Sequence, residues 1–362
     1  MGLTTKELSY IWVDSFINLS YSQKELLFSV IEDEPKILDA IKRERDLLID
    51  EFGEDKFNTI INSANGEYLK ENISKLQDND IFPVCICSSD YPKNLLEIQD
   101  PPLVLYCKGD IKLLNTECFS IVGSRHSLPV SLGFTEDYVK GLKDHFTLVT
   151  GIAEGVDKVV LTSAIKENAK VISVICGGFD KLYPSAHNDL MDSVKKVGLV
   201  ISEQPLGVSP MPHMFPIRNR IIAGLSNGVL IVSGSNKSGV LHTYNYAVEY
   251  GKEVFAIPYT PNVNSGLACL KILKDGGILT ENYLDILSYF GMEDKSKKVK
   301  LNEIEEKIIN VIKTGEMHVE KIANTLNKEV KEISPILSML EIKGVVIKVG
   351  VNAYGLKMIL ED

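Results

Sequence analysis

Short apolar runs alternate with helical patterns between residues 118 and 290. Each run has the length of one strand and is apolar nearly throughout, which is typical of strands buried on both faces. Strands separated by helices predict right-handed crossovers and a mainly parallel sheet. The sequence therefore predicts a doubly wound, Rossmann-like α/β fold in this region. The runs are CFSIV (118–122), FTLVT (146–150), VISVIC (171–176), GLVIS (198–202), GVLIV (228–232) and EVFAIP (253–258).

The first 80 residues lack strand alternation and carry apolar residues at helical spacing. The helical patterns cover residues 24–30, 37–51 and 56–64. Helices this short are stable only when they pack against one another. We therefore expect a small helical domain over residues 1–80, of the SAM or helix-hairpin kind.

Residues 81–110 form a connector that is rich in proline and in short apolar strands. Pro101 and Pro102 exclude a helix at their position. We assign this connector and the apolar runs to one extended Rossmann-like domain over 81–290. The polar, charged stretch over 291–300 then predicts a linker.

Residues 301–362 show three helical patterns followed by a hairpin pattern that turns near Gly350 to Asn352. Three helices and a hairpin are the element order of a winged helix, which is a variant of the helix-turn-helix. The sequence therefore predicts a winged-helix-like domain at this end of the chain.

The overall composition limits the classes of function. Hydrophobic residues make up 44% and charged residues 24% of the 362 positions, as in soluble globular proteins. No apolar run reaches membrane-spanning length and no signal-peptide pattern is present, so we expect a cytoplasmic protein without membrane contact. The six cysteines lack a CxxC pair, which predicts reduced core residues, no metal site and no cofactor. A formal charge of −10 disfavours indiscriminate nucleic-acid binding, so any such site must be local.

Glycines and a basic residue follow the first two apolar runs. In open α/β sheets, ligands bind beyond the carboxyl ends of the strands. Glycine at a strand end allows a ligand to approach backbone N–H groups, and an arginine beside it can bind phosphate. A nearby carboxylate, Asp157, either caps the following helix or orders the facing loops. The candidate phosphate-binding residues in these turns are Gly123, Ser124, Arg125, Gly151 and Gly155.

The stretch FPIRNRIIAGLS (215–226) contains Arg218, Asn219 and Arg220, which we expect to open a helix. Two arginines at a helix N-terminus oppose the helix dipole unless an anion lies nearby. The alternative is a structural ion pair of one arginine with Glu203 or Asp157.

A loop of small residues follows the run GVLIV and carries Lys237 and Ser238 before a helix. This arrangement also suits phosphate, although the loop is not a Walker A motif. Arg125, Arg218, Arg220 and Lys237 follow separate strands, so we expect them to share one rim of the sheet. The sequence therefore predicts a local basic groove on an acidic protein.

At these residues the chain resembles the DprA/Smf family of DNA-processing proteins. The resemblance runs from about Tyr91 to Tyr283 and includes IVGSR (121–125), TGIAEGVD (150–157), FPIRNRIIAGLS and KSGVL (237–241). It implies a homodimer that binds and protects single-stranded DNA, helps to load the RecA recombinase during transformation, and catalyses no reaction. By motif position, it places DNA contacts on Gly123, Ser124, Arg125, Arg218, Asn219, Arg220 and Lys237. Gly151, Gly155 and Ser238 complete the candidate site, with Asp157 and Glu203 as supporting residues.

One departure from the family pattern is Glu154, which stands where a basic residue is usual. A carboxylate there is expected to weaken a phosphate site locally. Aromatic rings that could stack on bases are Phe215, Tyr183 and Tyr244, although core packing is the more common role for such residues.

Two other functions fit parts of the same sequence. The first is a Rossmann-like enzyme that binds or hydrolyses a small nucleotide, with Asp157 and Glu203 as its carboxylates. The second is a protein-interaction adaptor that uses its acidic surface and terminal domains. The predicted recognition helix of the tail is a poor reader of duplex DNA, because it mixes basic with acidic residues. These are Lys328, Glu329, Lys331 and Glu332.

Overall fold

The computed structural model describes residues 2–31, 37–294, 301–313 and 315–356. They belong to two compact units, Met1–Asp294 and Lys295–Asp362. The helical segment and the large sheet lie together in the first unit. The division into the domains named above stays a prediction, and most of the predicted linker over 291–300 lies outside the described residues.

Nine strands form one sheet in the first unit, in the order β1-β2-β6-β5-β4-β3-β7-β8-β9. The seven strands from β6 to β9 in that order are parallel, while β1 and β2 add an antiparallel edge. All six predicted runs are strands, which confirms the doubly wound, mainly parallel sheet. The strands are β1 (Phe82–Cys85), β2 (Val104–Gly109), β3 (Cys118–Val122), β4 (Thr147–Thr150), β5 (Val171–Val174), β6 (Leu199–Ser202), β7 (Gly228–Ile231), β8 (Glu253–Ala256) and β9 (Ile278–Leu279).

Alternate residues of each central strand enter different cores on the two faces of the sheet. In β4, Leu148 belongs to one apolar cluster and Val149 to the other. In β3, Phe119 and Val122 are divided in the same way. Burial on both faces explains why these strands read as continuous apolar runs.

Helices cover both faces of this sheet. A short helix precedes β2, and most of the others connect consecutive parallel strands, as the alternating pattern predicted. The helices are α7 (Lys93–Leu96), α8 (Pro129–Leu142), α9 (Val156–Lys166), α10 (Asn188–Val197), α11 (Met214–Leu225), α12 (Val240–Glu249), α13 (Leu267–Lys274) and α14 (Tyr283–Tyr289).

Strand β3 lies between β4 and β7. From β3 the chain adds β4, β5 and β6 on one side of it, and then β7, β8 and β9 on the other side. Such a reversal opens a crevice at the carboxyl ends of the two central strands. The loops that follow β3, β4 and β7 therefore meet at one edge of the sheet.

Within residues 2–31 and 37–80, six helices precede the sheet, whereas the sequence predicted three. The predicted helix over 37–51 is divided at Glu44, and α1 and α6 were missed. Both missed helices begin with a side-chain cap, from Thr4 and Asn65 respectively. The helices are α1 (Thr5–Asp14), α2 (Tyr21–Ile31), α3 (Ile37–Arg43), α4 (Arg45–Phe52), α5 (Glu54–Ser63) and α6 (Gly66–Asp78).

Asp14 at the end of α1 ties these helices to the sheet. Its buried carboxylate accepts a hydrogen bond from the hydroxyl of Tyr106 in β2 at 2.9 Å and pairs with Lys24 Nζ at 2.8 Å. Trp12 packs beside it and donates its indole N–H to the carbonyl of Ser63 at 3.1 Å. The helical segment therefore shares polar contacts with the edge of the sheet as well as apolar ones.

In its described residues, the second unit has three helices and a three-stranded sheet in the order β10-β12-β11. The helices and hairpin fall where the sequence predicted them, in the order of a winged helix. Residues 357 and 358 of the predicted hairpin lie outside the described residues. The elements are α15 (Glu303–Ile312), β10 (Met317–His318), α16 (Val319–Thr325), α17 (Val330–Ile342), β11 (Val346–Gly350) and β12 (Ala353–Leu356).

The cysteines and the helix lengths bear on two predictions from composition. Five of the six cysteines are buried, which agrees with their prediction as core residues, and Cys87 is exposed. Within the described part of the chain, no helix combines the length and the apolar character needed to cross a bilayer.

Phe119 tests the importance of the central strand. Its ring is fully buried and lies 5.3 Å from the Phe146 ring and 5.7 Å from the Phe255 ring, measured between centroids. Because Phe119→Ala leaves a cavity, we expect it to lower the free energy of unfolding by about 3–5 kcal/mol. Phe82→Ala on the edge strand, where the ring is 46% exposed, should cost less than about 1 kcal/mol. Urea unfolding followed by circular dichroism measures both losses. Equal losses would contradict the assignment of Phe119 to the core at the central strand.

Candidate functional site

A pocket of about 90 Å³ opens beyond the carboxyl ends of β3, β4 and β5. A volume of this size admits several water-sized groups. It combines two guanidinium groups with two aromatic rings at the edge of the sheet where ligands bind in this fold class. Its lining residues are Arg125, Ile152, Ala153, Glu154, Cys176, Tyr183, Pro184, Phe215 and Arg218.

Arg125 lies in the loop after β3 and is exposed. Its guanidinium carbon is 5.6 Å from the centroid of the Phe215 ring, which is the geometry of a cation–π contact. The Phe215 ring in turn meets Tyr183 edge to face, with centroids 5.8 Å apart. The aromatic pair therefore supports Arg125 at the mouth of the pocket, where its charge is accessible to an anion.

Arg218 lies deeper, with 9% of its surface exposed. Its Nη1 donates a hydrogen bond to the carbonyl of Val174, and its Nε donates to Asn219 at 3.2 Å. Both bonds hold the guanidinium in place at the end of β5. Arg218 therefore supplies a fixed positive charge behind the exposed Arg125.

The prediction that Arg218, Asn219 and Arg220 open a helix is wrong. Helix α11 begins at Met214, so these residues lie in its second turn. Pro216 falls in the first turn, where its missing N–H costs no helical hydrogen bond, and it does not delay the start of the helix.

Asp157 in the first turn of α9 orders the loop that precedes it. Its Oδ2 accepts a hydrogen bond from the N–H of Ala153 at 3.2 Å, and its carboxylate lies beside Arg218 next to Gly151. Helix α9 has Gly155 as its N-cap, so the loop-ordering alternative is confirmed and the capping alternative is wrong. Burial raises the pKa of Asp157, against the opposing effect of the Arg218 charge.

Arg220 is 5% exposed and forms an ion pair with Glu203, which follows β6. The structural ion pair that the sequence left open is therefore confirmed for Arg220. Arg220 does not line the pocket. Its position inside the protein contradicts the expectation that all four cations share one rim.

The glycines after β3 and β4 allow two loops to pack closely. A Cβ at Gly123 would overlap the Val156 side chain, and a Cβ at Gly151 would overlap Asp157. Gly155 has a φ of +81°, and its Cβ would overlap the carbonyl oxygen of Ser124. Packing between loops therefore requires glycine at all three positions, whether or not a ligand approaches.

Several backbone N–H groups in these loops already have partners. The N–H of Ser124 donates to Ser233 Oγ at 3.1 Å, and that of Ala153 donates to Asp157. The N–H of Val156 donates to the carbonyl of Ser124 at 3.3 Å. Of the candidate residues in these turns, Ser124 therefore has a backbone N–H that already donates within the protein.

Lys237 and Ser238 lie in the loop after β7, and Lys237 is exposed. Asn219 on α11 donates a hydrogen bond at 3.4 Å to the carbonyl of Gly239 at the end of this loop. The loop occupies the same sheet edge as Arg125, because β7 pairs with β3. Neither Lys237 nor Ser238 lines the pocket.

Glu154 lines the pocket beside two basic groups. Its carboxylate accepts hydrogen bonds from His187 at 2.8 Å and from Lys158 Nζ at 3.2 Å. These hydrogen bonds lower the pKa of Glu154. His187 was missed in the sequence, where the available signal was a histidine in the loop that follows the Gly177-Gly178 turn.

The pocket lining also contains a thiol and two aromatic rings. Burial raises the pKa of the Cys176 thiol to about 11, so this sulfur is protonated at neutral pH. Of the three aromatic candidates, Tyr183 and Phe215 line the pocket, whereas Tyr244 packs against a core cluster.

Residues 83–291 match the sequence profile of the family described as DNA recombination-mediator protein A. The chain belongs to the DprA/Smf family. It is 38% identical over 202 residues to protein Smf of Synechocystis and 35% identical over 225 residues to DprA of Streptococcus pneumoniae. These alignments cover 54% and 62% of this chain. The chain spans about half of the Synechocystis protein (51%) and 77% of the pneumococcal one.

Two solved DprA structures share the fold. The crystal structure of DprA from Streptococcus pneumoniae superposes with a TM-score of 0.68 at 28% identity, covering 80% of this chain and 98% of that one. DprA from Helicobacter pylori, described for a single-stranded DNA binding mode, gives a TM-score of 0.51 at 29% identity. It covers 55% of this chain and 92% of that one. The Rossmann-like architecture of the DprA/Smf family is therefore present here.

Gly155 provides a test of the loop packing. Gly155→Ala forces an overlap with Ser124 at a positive φ, so we expect the free energy of unfolding to fall by about 1–3 kcal/mol. Gly133→Ala is the control, since Gly133 is exposed in α8 and a Cβ there meets nothing within 4 Å. That change should stabilise the helix by about 0.5–1 kcal/mol. Thermal and urea unfolding compare the two, and a neutral Gly155→Ala would refute this role.

Arg220 tests the distinction between a structural and an exposed arginine. Because Arg220→Ala leaves Glu203 without its partner, we expect the free energy of unfolding to fall by about 2 kcal/mol or more. Adding Glu203→Gln should recover part of this loss. Arg125→Ala removes an exposed charge and should cost less than about 1 kcal/mol. Similar losses in the two single variants would contradict the structural assignment of Arg220.

Proposed function

We propose that this protein binds the backbone of single-stranded DNA at the carboxyl edge of its sheet, without catalysing a reaction. The observation that carries the proposal is the exposed Arg125 guanidinium, held on the Phe215 ring at the mouth of a pocket that Arg218 backs. Arginine binds phosphate through paired N–H groups, and a fixed guanidinium loses little freedom when it does so.

The pocket favours a single strand over a duplex for a physical reason. The Tyr183 side chain is 54% exposed beside Phe215 and Arg125. Aromatic rings next to a cation suit unpaired bases, which can stack on them while the phosphate contacts the arginine. In a duplex the faces of the bases are already stacked on one another. The Helicobacter pylori relative, described for its single-stranded DNA binding mode, supports the same substrate class.

The candidate residues have different roles in this proposal. Arg125 contacts phosphate and Arg218 supports the positive potential, while Lys237 and Ser238 extend the path along the β7 loop. Ser124 and Asn219 shape the neighbouring loops through their hydrogen bonds. The remaining candidates support the site without touching DNA, and they are Gly123, Gly151, Gly155, Asp157, Glu203 and Arg220.

Asp157 and Glu203, the two carboxylates of the enzyme alternative, have other partners. Asp157 accepts a hydrogen bond from Ala153 and lies beside Arg218, and Glu203 is paired with Arg220. Neither lines the pocket. These contacts favour a binding protein over a nucleotide-hydrolysing enzyme.

The wider role follows from the family resemblance. In this proposal the protein is a cytoplasmic homodimer that protects incoming single-stranded DNA and helps to load the RecA recombinase on it. The membership of the chain in the DprA/Smf family supports this role.

The second unit favours a protein partner, in line with the adaptor alternative. On α17 and in the residues just before it, Lys328 is paired with Glu332, and Lys331 with Glu329. Lysines that are paired with neighbouring carboxylates contribute little to binding of duplex DNA. Capture of a partner by the full chain but not by a chain ending at Asp294 would support this function.

A salt titration with oligo-dT tests the backbone contact. We expect the log of the affinity to fall with the log of salt concentration, with a slope of about −0.7 for each neutralised phosphate. Arg125→Ala should weaken binding and flatten the slope by up to about one unit. Arg45→Ala is the matched control, because Arg45 on α4 is also exposed. The same slope and affinity in wild type and Arg125→Ala would refute the proposed contact.

A further inference from the structure

Glu154 presents a problem for an anion-binding pocket. Among the nine described lining residues it alone carries a carboxylate, and its side chain is 53% exposed. A bare carboxylate beside Arg125 would repel a phosphate and compete with it for the guanidinium. The pocket can accept an anion only if this charge is balanced.

Two basic side chains on different elements contact the Glu154 carboxylate. Lys158, one turn along α9, places its Nζ 3.2 Å from both carboxylate oxygens. His187, the last residue of a short 3₁₀ helix before α10, places its Nε2 2.8 Å from Oε1. The hydrogen bonds that Glu154 accepts come from these two residues, which draws its charge toward α9 and α10.

The His187 ring is held between two oxygen atoms. The ring is 3% exposed, and its Nδ1 lies 2.8 Å from the carbonyl oxygen of Ile152. Both ring nitrogens therefore face oxygen acceptors. The ring therefore bridges the Ile152 carbonyl and the Glu154 carboxylate.

We propose that His187 is a positioning residue that, together with Lys158, holds the Glu154 carboxylate by hydrogen bonds and so keeps the pocket open to a phosphate group. This inference rests on the proposed function, since it concerns the same site. His187 does not touch the ligand. It acts by holding the Glu154 carboxylate through one ring nitrogen while the other contacts the carbonyl of Ile152.

The consequence is that the effect of losing His187 depends on Glu154. Without its partner, the carboxylate is free to approach Arg125 and to oppose the phosphate. If residue 154 carries no charge, removal of the His187 ring should have little effect on binding at the pocket. A residue that acted only by packing would show no such dependence.

A double-mutant cycle measures this dependence. Wild type, His187→Ala, Glu154→Gln and the double variant are titrated with oligo-dT at one low salt concentration, and folding is checked by thermal unfolding. We expect His187→Ala to bind about 5-fold more weakly, because an unbalanced charge has been created near the phosphate. The double variant should return to within about 2-fold of Glu154→Gln. Equal weakening in His187→Ala and the double variant would overturn the proposal, as would wild-type binding by His187→Ala.

A surface variant keeps the proposal testable if the His187 variants do not fold. Lys158→Ala changes a half-exposed side chain and should weaken binding about 2-fold, and Glu154→Gln should suppress this effect. Lys166→Ala is the matched control, because Lys166 is exposed in the last turn of the same helix. If Lys158→Ala and Lys166→Ala behave alike, Glu154 is not balanced in the way proposed.

A second probe separates failure of this inference from failure of the proposed function. Arg125→Ala is titrated in parallel, and if it binds oligo-dT as wild type does, the proposed DNA contact fails. Inorganic phosphate then reports on the pocket directly. We expect phosphate to raise the unfolding temperature of wild type, to lose this effect in His187→Ala and to regain it in the double variant. Absence of the phosphate effect in wild type, or its persistence in His187→Ala, would overturn the inference.

Discussion

The close approach of the loops after β3 and β4 is the constraint on which the candidate site depends. Gly155 makes it possible, because its backbone adopts a positive φ and leaves room for the carbonyl of Ser124. This approach places Arg125 beside Phe215 and sets Asp157 against Arg218. The N–H groups of Ser124, Ala153 and Val156 donate within these loops and to Ser233, and Arg125 supplies an accessible charge at this edge.

Burial divides the four candidate cations into two classes. Arg218 and Arg220 are inside the protein, where a guanidinium requires acceptors such as the Val174 carbonyl and the Glu203 carboxylate. Arg125 and Lys237 are exposed on loops that follow neighbouring strands. A protein with a formal charge of −10 can therefore keep a small basic site, because Arg125 and Lys237 are exposed on loops at the same sheet edge.

The fold of the central region could be predicted from the sequence because each strand is buried on both faces and is apolar nearly throughout. The first 80 residues were harder to predict, since α1 and α6 depend on side-chain caps as much as on apolar spacing. In α11 the helix start was misplaced because Pro216 was compatible with the first turn. The motif containing Arg218 includes two residues that line the pocket, although motif position could not show which way each side chain points.

The sequence by itself determined the parallel sheet, the edge where its loops meet and the residue types gathered there. Apolar periodicity and strand order along the chain carry that information, because they follow from local burial. Only the tertiary structure decided that Arg220 is paired with Glu203, that Arg125 rests on Phe215, and that His187 contacts Glu154. The partners in these contacts come from different loops, and their distances depend on how the loops pack. No pattern of spacing along one chain encodes that packing.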